Sequence, residues 1–203
     1  MGVTDPAAVA PGARTWVEVS ALARSCVACP ELAANRTLVV PGELPPEGAD
    51  LLLVGEAPGA QEDAAGVPFV GKAGQVLDQL LGDAGIDRDR VAVANVLKCR
   101  PPANRKPRRD EVARCRPWLA RQIEVADPAL LVALGGTAAE WFFGPAARIG
   151  VLRETVQEYD GRPVLVTYHP SAAVRFGPAG APMAALRADL AEAARLLPAL
   201  RGA

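Results

Sequence analysis

Long apolar runs are absent from this sequence, and none approaches the roughly 18 residues that a membrane-spanning helix needs. We therefore expect no contact with a membrane. Residues 1–13 have neither a basic start nor an apolar core, so they do not form a secretory signal, and we expect a flexible N-terminal tail there. These features predict a cytoplasmic protein, in which the four cysteines are not expected to form disulfides.

Aromatic residues are also scarce, at 4% of the chain, and positive charge is not in excess, because the formal net charge is −1. The charge balance therefore gives no sign of a generally basic nucleic-acid-binding protein. Half of the 203 residues are apolar, which is enough to bury one substantial core. Without an internal repeat or a clear linker, the sequence predicts one domain over residues 14–203, and we expect it to act as a monomer.

Apolar runs of strand length alternate with helical patterns through most of the chain. Continuous apolar strands are typical of a parallel sheet that is covered on both faces. The order of elements therefore predicts the α/β class, with a mostly parallel sheet and helices on both of its faces. The predicted strands are 51–54, 91–95, 130–134 and 164–168, and the predicted helices are 16–24, about 73–84, about 109–124, 137–143 and 181–197.

Each predicted strand ends in polar or glycine-rich residues. Glu56 follows the first strand, Asn95 ends the second, a glycine pair follows the third and His169 follows the fourth. Parallel strands bring such ends to one edge of the sheet, where ligands bind in open α/β folds. The stretch 55–69 is central to this predicted site, because its glycines let the backbone approach a ligand. Its spacing matches neither a dinucleotide nor a phosphate-binding loop, and a plain strand-to-helix turn is the alternative.

Positive charge is concentrated in the segment 98–121, which contains nine basic and two acidic residues. Such a stretch can bind phosphates even when the whole chain is nearly neutral. A solvated helix face with an adjoining loop is the alternative interpretation.

The four cysteines form a pattern suited to a metal centre. Cys26 and Cys29 form a C-x2-C pair, whereas Cys99 and Cys115 stand apart. Four thiolates are the number that a structural zinc ion or an iron–sulfur cluster requires, and donor chemistry leaves both open. Basic neighbours of the two later cysteines favour the thiolate form. Buried cysteines without a ligand are the remaining alternative.

Five blocks of residues occur in an order that resembles one family. They are Gly-Glu-Ala-Pro-Gly at 55–59 with an acidic pair at 62–63, Gly-Val-Pro-Phe-Val-Gly-Lys-Ala-Gly at 66–74, Asn-Val-Leu-Lys-Cys-Arg-Pro-Pro at 95–102, Cys-Arg-Pro-Trp at 115–118 and His-Pro-Ser at 169–171. From about residue 26 to residue 197, the chain closely resembles the family 4 uracil-DNA glycosylases. The resemblance implies removal of uracil from single- and double-stranded DNA. It also implies a three-layer α/β/α sandwich around a four-stranded sheet, and a [4Fe–4S] cluster held by Cys26, Cys29, Cys99 and Cys115, with zinc as the less favoured occupant.

The resemblance also assigns a pocket for a uracil that has been flipped out of the DNA. Phe69 would stack on the base. Asn95 would accept a hydrogen bond from N3–H and donate one to O4, a pattern that cytosine mismatches. Glu62 would lie near C5 and exclude the methyl group of thymine. Gly55 and Ala57 would complete the wall of the pocket.

His169, the only histidine, would bind uracil O2 and stabilise the negative charge that develops as the N-glycosidic bond breaks. Glu56 would orient or deprotonate the attacking water, or stabilise positive charge on the sugar. Ala57 stands where the best-known glycosylases carry an aspartate, which leaves the activation of the water open. Contacts with DNA are expected from Lys72, Arg105, Lys106, Ser171 and Arg175, with Val174 or Arg175 as a wedge in place of the flipped base.

Three alternatives fit the sequence less well. A relative that traps uracil-DNA covalently would carry a Gly-Glu-Gln-Pro-Gly motif and a basic loop with a histidine, whereas position 57 is Ala and residues 100–108 contain no histidine. A metal-stabilised nucleic-acid-binding module would not need Glu56, Asn95 and His169 together. An electron-transfer protein would have no use for the His-Pro-Ser block.

Overall fold

The computed structural model describes residues 2–201, so Met1 of the predicted tail and residues 202–203 of the predicted domain lie outside it. A five-stranded sheet forms its centre, in the spatial order β2-β1-β3-β5-β4. All neighbouring strands are parallel except β4 and β5, which form an antiparallel hairpin. The strands are β1 (Leu51–Gly55), β2 (Val91–Asn95), β3 (Leu130–Leu134), β4 (Gln157–Tyr159) and β5 (Arg162–Thr167).

The predicted α/β class is confirmed, and each of the four predicted strands is present. The additional strand, β4, has three residues and is not buried, so it leaves little apolar pattern in the sequence. Its pairing with β5 comes from a two-residue turn, Asp160-Gly161, in which both residues have positive φ angles of 51° and 75°. This turn matches the twist of antiparallel strands, which explains the hairpin at the sheet edge.

Helices cover both faces of the sheet. Among residues 2–201, no helix combines the length and apolar character that crossing a membrane requires. The helices are α1 (Pro6–Val9), α2 (Trp16–Arg24), α3 (Pro30–Asn35), α4 (Ala60–Ala65), α5 (Lys72–Asp83), α6 (Arg109–Ala126), α7 (Gly136–Phe143), α8 (Ile149–Leu152), α9 (Pro170–Phe176) and α10 (Ala181–Leu200), with 3₁₀ turns at Ala10–Gly12, Arg88–Arg90 and Pro102–Asn104.

Successive strand residues point into two cores on opposite faces of the sheet. Every residue of β1, β2 and β3 is buried. Leu52 faces one core, which α6 and α7 close with side chains such as Trp141. Leu53 faces the other, closed by Leu77 of α5 and Leu190 of α10. Burial of one such leucine contributes roughly 2 kcal/mol, so the three-layer α/β/α arrangement is stabilised from both sides.

The N-terminal segment differs from the flexible tail that the sequence predicts. α1 and the turn Ala10–Gly12 lie against α6, and Ala10 is fully buried there. Val3 forms a parallel bridge with Cys26. The segment is rich in alanine, which gives a weak hydrophobic signal in the sequence but lets its backbone approach α6 closely. Residues 3–12 are therefore part of the folded domain.

We predict that Ala10→Asp lowers the free energy of unfolding by about 2 kcal/mol or more, because it buries a carboxylate that has no partner. Urea denaturation followed by circular dichroism measures this difference. Ala8→Asp is the matched control, since Ala8 is exposed on the same segment. Equal stability of the two variants would show that the segment is loose in solution.

Candidate active site

A cleft of about 340 Å³ opens at the carboxyl ends of the parallel strands, a size within the range of small-ligand sites. Residues that follow or end four neighbouring strands line it: Glu56 after β1, Asn95 in β2, Gly135 after β3 and His169 after β5. In the chain, β1 is followed by β2, which pairs with one edge of β1, and then by β3, which pairs with its other edge. The cleft therefore lies at the topological switch point of the sheet.

Gly55 allows the side chains of Asn95 and Phe69, which line the cleft, to approach its backbone. A Cβ atom added there would lie 2.4 Å from Oδ1 of Asn95 and 2.6 Å from Cζ of Phe69. Both distances are shorter than van der Waals contact, so a side chain at position 55 would displace both residues. Glycine is thus required here for a close approach rather than for a special backbone angle.

Asn95 presents an unpaired amide oxygen to the cleft. The residue is 3% exposed, and its Oδ1 has no hydrogen-bond partner among residues 2–201. Its backbone oxygen, by contrast, accepts a hydrogen bond from Nζ of Lys98 (2.8 Å). A buried polar atom without a partner costs roughly 1–3 kcal/mol. The Asn95 side chain is therefore suited to bind a polar group of a ligand.

Phe69 forms one side of the cleft in an unusual backbone conformation. Its φ angle of 55° lies in the left-handed region, which bulky residues seldom adopt. Gly74 makes room for this turn, because a Cβ atom there would lie 1.6 Å from the carbonyl oxygen of Phe69. The ring lies 5.9 Å from that of His169, at an interplanar angle of 28°. Strained residues of this kind cluster at functional sites.

His169 is held in one tautomer by the helix that it caps. Its Nδ1 accepts a hydrogen bond from the backbone N–H of Ser171 (3.1 Å) and lies 2.8 Å from Oγ of the same residue. Because Nδ1 is the acceptor, the neutral ring carries its proton on Nε2. Burial lowers the pKa of His169 to about 4, although Glu62 opposes the shift. The ring is therefore neutral at pH 7, with one N–H free to donate.

Glu56 is half-buried in the cleft, and its Oε2 accepts a hydrogen bond from Oγ1 of Thr137. Thr137 lies in the first turn of α7 and is itself buried. Sequence reasoning misses this residue. The two partners are 81 positions apart, and no pattern links a threonine after a glycine pair with a distant carboxylate.

Glu62 ties together the loop that surrounds the cleft. Its Oε2 accepts a hydrogen bond from the backbone N–H of Gly59 (3.1 Å), and its Oε1 accepts one from that of Gly71 (2.8 Å). Glu62 also lines the cleft, as Ala57 does. Both carboxylate oxygens are thus used by the backbone, which gives Glu62 a role in shaping the loop in addition to the one expected beside a base.

Arg105 is not the free cation that the sequence suggests. Its guanidinium donates to both carboxylate oxygens of Glu111 (2.9 and 2.6 Å), and Glu111 also accepts from the backbone N–H of Arg108 (2.8 Å). These hydrogen bonds lower the pKa of Glu111 and raise the pKa of Arg105. Arg105 lines the cleft, but its charge already has a partner that holds the loop to α6.

The other residues expected to contact DNA are exposed. Lys72 begins α5 and Ser171 lies in the first turn of α9. Lys106 is 63% exposed at its side chain, although its Nζ lies 3.2 Å from a glutamate of α7. Arg175 and Val174 project from α9 into solvent. These side chains can contact DNA without any change in the surrounding helices.

The four cysteines line one cavity, although no group of three or more His, Cys, Asp or Glu side chains in residues 2–201 is arranged around a single metal ion. They come from the 26–29 loop, from the chain after β2, and from α6. Arg36 donates from Nη1 to Sγ of Cys99 (3.3 Å) and from Nη2 to the backbone oxygen of Cys26 (2.6 Å). The sulfur atoms are therefore surrounded by positive charge.

Burial raises the pKa of Cys99 to about 11 and that of Cys115 to about 12. Burial also raises the pKa of Cys29, opposed by the charge of Arg114. The neighbouring Lys98 is buried as well, and its pKa falls to about 8. One buried and three half-buried thiols line a cavity together with basic side chains, and thiols in such a site become thiolates when they bind a cationic centre.

The family model described as Uracil DNA glycosylase superfamily matches residues 41–191, and the chain belongs to that superfamily. A type-4 uracil-DNA glycosylase of Thermotoga maritima is 43% identical over 160 residues, which cover 77% of this chain and 82% of the relative. The relatives place the chain in the type-4 group.

Pyrobaculum aerophilum has a type-4 and a type-5 uracil-DNA glycosylase, and this chain shares different degrees of sequence identity with the two. Its type-4 uracil-DNA glycosylase is 42% identical over 164 residues, covering 76% of this chain and 82% of the relative. Its type-5 uracil-DNA glycosylase is 31% identical over 184 residues, covering 72% and 78%. The greater identity with the type-4 protein agrees with the family 4 resemblance of the sequence.

We predict that His169 stays neutral, with its proton on Nε2, from pH 8 down to about pH 5, and titrates near pH 4. Nitrogen-15 NMR checks this directly, because the chain has a single histidine. In the unfolded chain the ring binds a proton near its ordinary pKa of 6.5, so stability falls as the pH is lowered from 6.5 towards 4. A titration near pH 6.5 in the folded protein would contradict the buried environment.

Proposed function

We propose that the protein is a uracil-DNA glycosylase of base-excision repair, which hydrolyses the N-glycosidic bond of uracil in DNA and leaves an abasic site. The observation that carries this proposal is Oδ1 of Asn95, which is buried without a partner among residues 2–201, in a cleft that the neutral imidazole of His169 also lines. The cleft supplies hydrogen-bonding groups that match the edges of one pyrimidine. Type-4 relatives bear the name of this activity.

Recognition begins with a base that has been flipped out of the stack. Phe69 covers one face of the ring, while Asn95 accepts from N3–H and donates to O4. Cytosine has an amino group at position 4 and no hydrogen on N3, so it would leave the buried amide mispaired. Sites built on such hydrogen bonds reject the wrong partner by large factors. Glu62, held by two backbone N–H groups, fixes the wall where the methyl group of thymine would lie.

Bond cleavage uses His169 and Glu56 on opposite parts of the substrate. As the bond between N1 and C1′ breaks, its electron pair leaves with uracil, and the Nε2–H of His169 donates to O2, where negative charge develops. Water forms the new bond to C1′. Glu56 orients this water and accepts its proton, which assigns to Glu56 the work that Ala57 cannot perform.

The substrate is uracil-containing DNA, either single- or double-stranded. Lys72, Lys106 and Arg175 are exposed cations that can contact phosphates, and they lie close in sequence to residues that line the cleft. Ser171, which lines the cleft, can donate from its hydroxyl. Phosphate contacts position the strand without reading its sequence. Arg105 supports the loop through its pairing with a glutamate, and Val174 or Arg175 fills the space left by the flipped base.

A [4Fe–4S] cluster held by Cys26, Cys29, Cys99 and Cys115 completes the proposal. The fit rests on four thiols around one cavity and on an arginine N–H that donates to a sulfur atom, since such donors stabilise cluster ligands. When bound, the cluster supplies a covalent link among three separate segments of the chain. A structural zinc ion, which the same donors could bind, is the less favoured occupant.

The deciding assay incubates the purified protein with oligonucleotides that contain uracil, thymine or cytosine, followed by alkaline cleavage of abasic sites. We expect cleavage at uracil alone, in both single and double strands. Asn95→Asp and His169→Ala should each reduce the single-turnover rate by roughly 100-fold or more, because each removes a hydrogen-bonding group from the buried site.

Asn35→Asp is the matched control for Asn95→Asp. Asn35 is exposed, and its side chain donates only to the backbone oxygen of Arg100 (3.2 Å), so the rate should not change. Absence of cleavage at uracil would refute the glycosylase proposal. A protein–DNA adduct that survives SDS would favour the covalent-trapping alternative, and full activity of Asn95→Asp would refute the assignment of that residue.

For the metal centre, we predict that protein purified without oxygen is brown and contains iron and acid-labile sulfide in equal amounts. Cys99→Ser should lose the colour and lower the melting temperature, because it removes one link between β2 and α6. Elemental analysis and absorbance spectroscopy measure the metal content and the colour, and thermal denaturation measures the melting temperature. Colourless protein that contains zinc would contradict the cluster.

A further inference from the structure

Thr137 contacts Glu56, and the proposed mechanism assigns no role to this contact. It is 5% exposed, and its hydroxyl bonds to Oε2 of Glu56. A carboxylate only accepts hydrogen bonds, so the threonine is the donor. Among residues 2–201, this is the one hydrogen bond to the side chain of Glu56. A glutamate of this kind would otherwise be free to change rotamer within the cleft.

The support behind Thr137 is rigid. α7 lies against the core through Ala138, Trp141 and Phe142, all buried. The turn before it is fixed by Gly135, whose N–H donates to the backbone oxygen of Thr167 (2.9 Å). The hydroxyl is thus held by the sheet and the helix rather than by a loose loop.

The residue before α7 also lies close to His169, the other proposed catalytic residue. A Cβ atom on Gly135 would lie 3.0 Å from Cβ of His169. Gly135, which joins β3 to α7, therefore lies close to His169, and Thr137 in the first turn of α7 bonds to Glu56. The position of Glu56 relative to His169 therefore depends on the backbone of residues 135–137.

We propose that Thr137 is a positioning residue for catalysis: its hydroxyl holds one oxygen of Glu56 and directs the other towards the attacking water. The inference rests on the proposed function. Its physical basis is that fixing a flexible carboxylate in a reactive orientation removes an entropic cost from the chemical step. The branched Cβ of threonine restricts its own rotamers, which makes it a more rigid donor than serine.

The test measures multiple- and single-turnover kinetics on a uracil-containing oligonucleotide. Thr137→Val keeps the shape and removes the donor, and we expect kcat to fall roughly 10- to 100-fold, the range for one hydrogen bond to a charged group. KM should change less than threefold, because Thr137 is not among the residues that line the cleft. Thr137→Ser restores the donor and should return kcat to within about fivefold of the original protein.

Thr167→Val is the matched control, since Thr167 is fully buried and its Oγ1 has no partner among residues 2–201. This variant should keep its kcat. A double-mutant cycle adds the decisive comparison. If Thr137 acts through Glu56, then Thr137→Val should cause no further loss in a Glu56→Gln background.

An unchanged kcat in Thr137→Val, or a full additional loss in the Glu56→Gln background, would overturn the inference while leaving the glycosylase proposal intact. Failure of Thr137→Ser to restore kcat would also overturn it, because serine retains the hydroxyl donor and the donor would then not account for the activity. If the unmodified protein releases no uracil, the proposed function fails, and the role of Thr137 fails with it.

Discussion

The site depends on the absence of a side chain at Gly55. At the carboxyl end of β1, Asn95 of the neighbouring strand and the ring of Phe69 approach the same backbone, at distances that leave no room for a Cβ atom. Hydrophobic burial fixes β1 and β2 in register and so holds Asn95, while Phe69 packs against the core from the loop before α5. One packing constraint therefore places both Asn95 and Phe69, the residues proposed to read and to stack on the base.

The constraint works because the surrounding loops are held by backbone contacts rather than by side-chain fit alone. Glu62 bonds to two N–H groups of its own loop, Gly74 makes room for the carbonyl of Phe69, and His169 caps α9 through its Nδ1. Each reactive side chain stands at the end of a strand or the start of a helix. Sites on such elements keep their geometry better than sites on free loops.

The sequence predicts the strands and the strand-end residues well, because continuous apolar runs and polar endings are local signals. It does not predict Thr137, Glu62 as a bridge between backbone groups, or the pairing of Arg105, because these depend on which loops meet in space. The packing of residues 3–12 against α6 is not predicted for a different reason. A segment rich in alanine buries backbone and methyl groups without a strong hydrophobic period, so its sequence resembles that of a tail.

The cysteines and the cleft share a segment of chain, which gives the proposed cluster a structural reason for its position. After β2, the N–H groups of Val96 and Leu97 continue to donate to the backbone oxygens of Gly55 and Glu56 (2.9 and 3.0 Å). Nζ of Lys98 then bonds to the backbone oxygen of Asn95 and to Gln122 of α6, before the chain reaches Cys99. A link from Cys99 to Cys115 would hold the far end of this segment against α6. Such a link would limit the movement of Asn95 without any contact between the metal centre and the base.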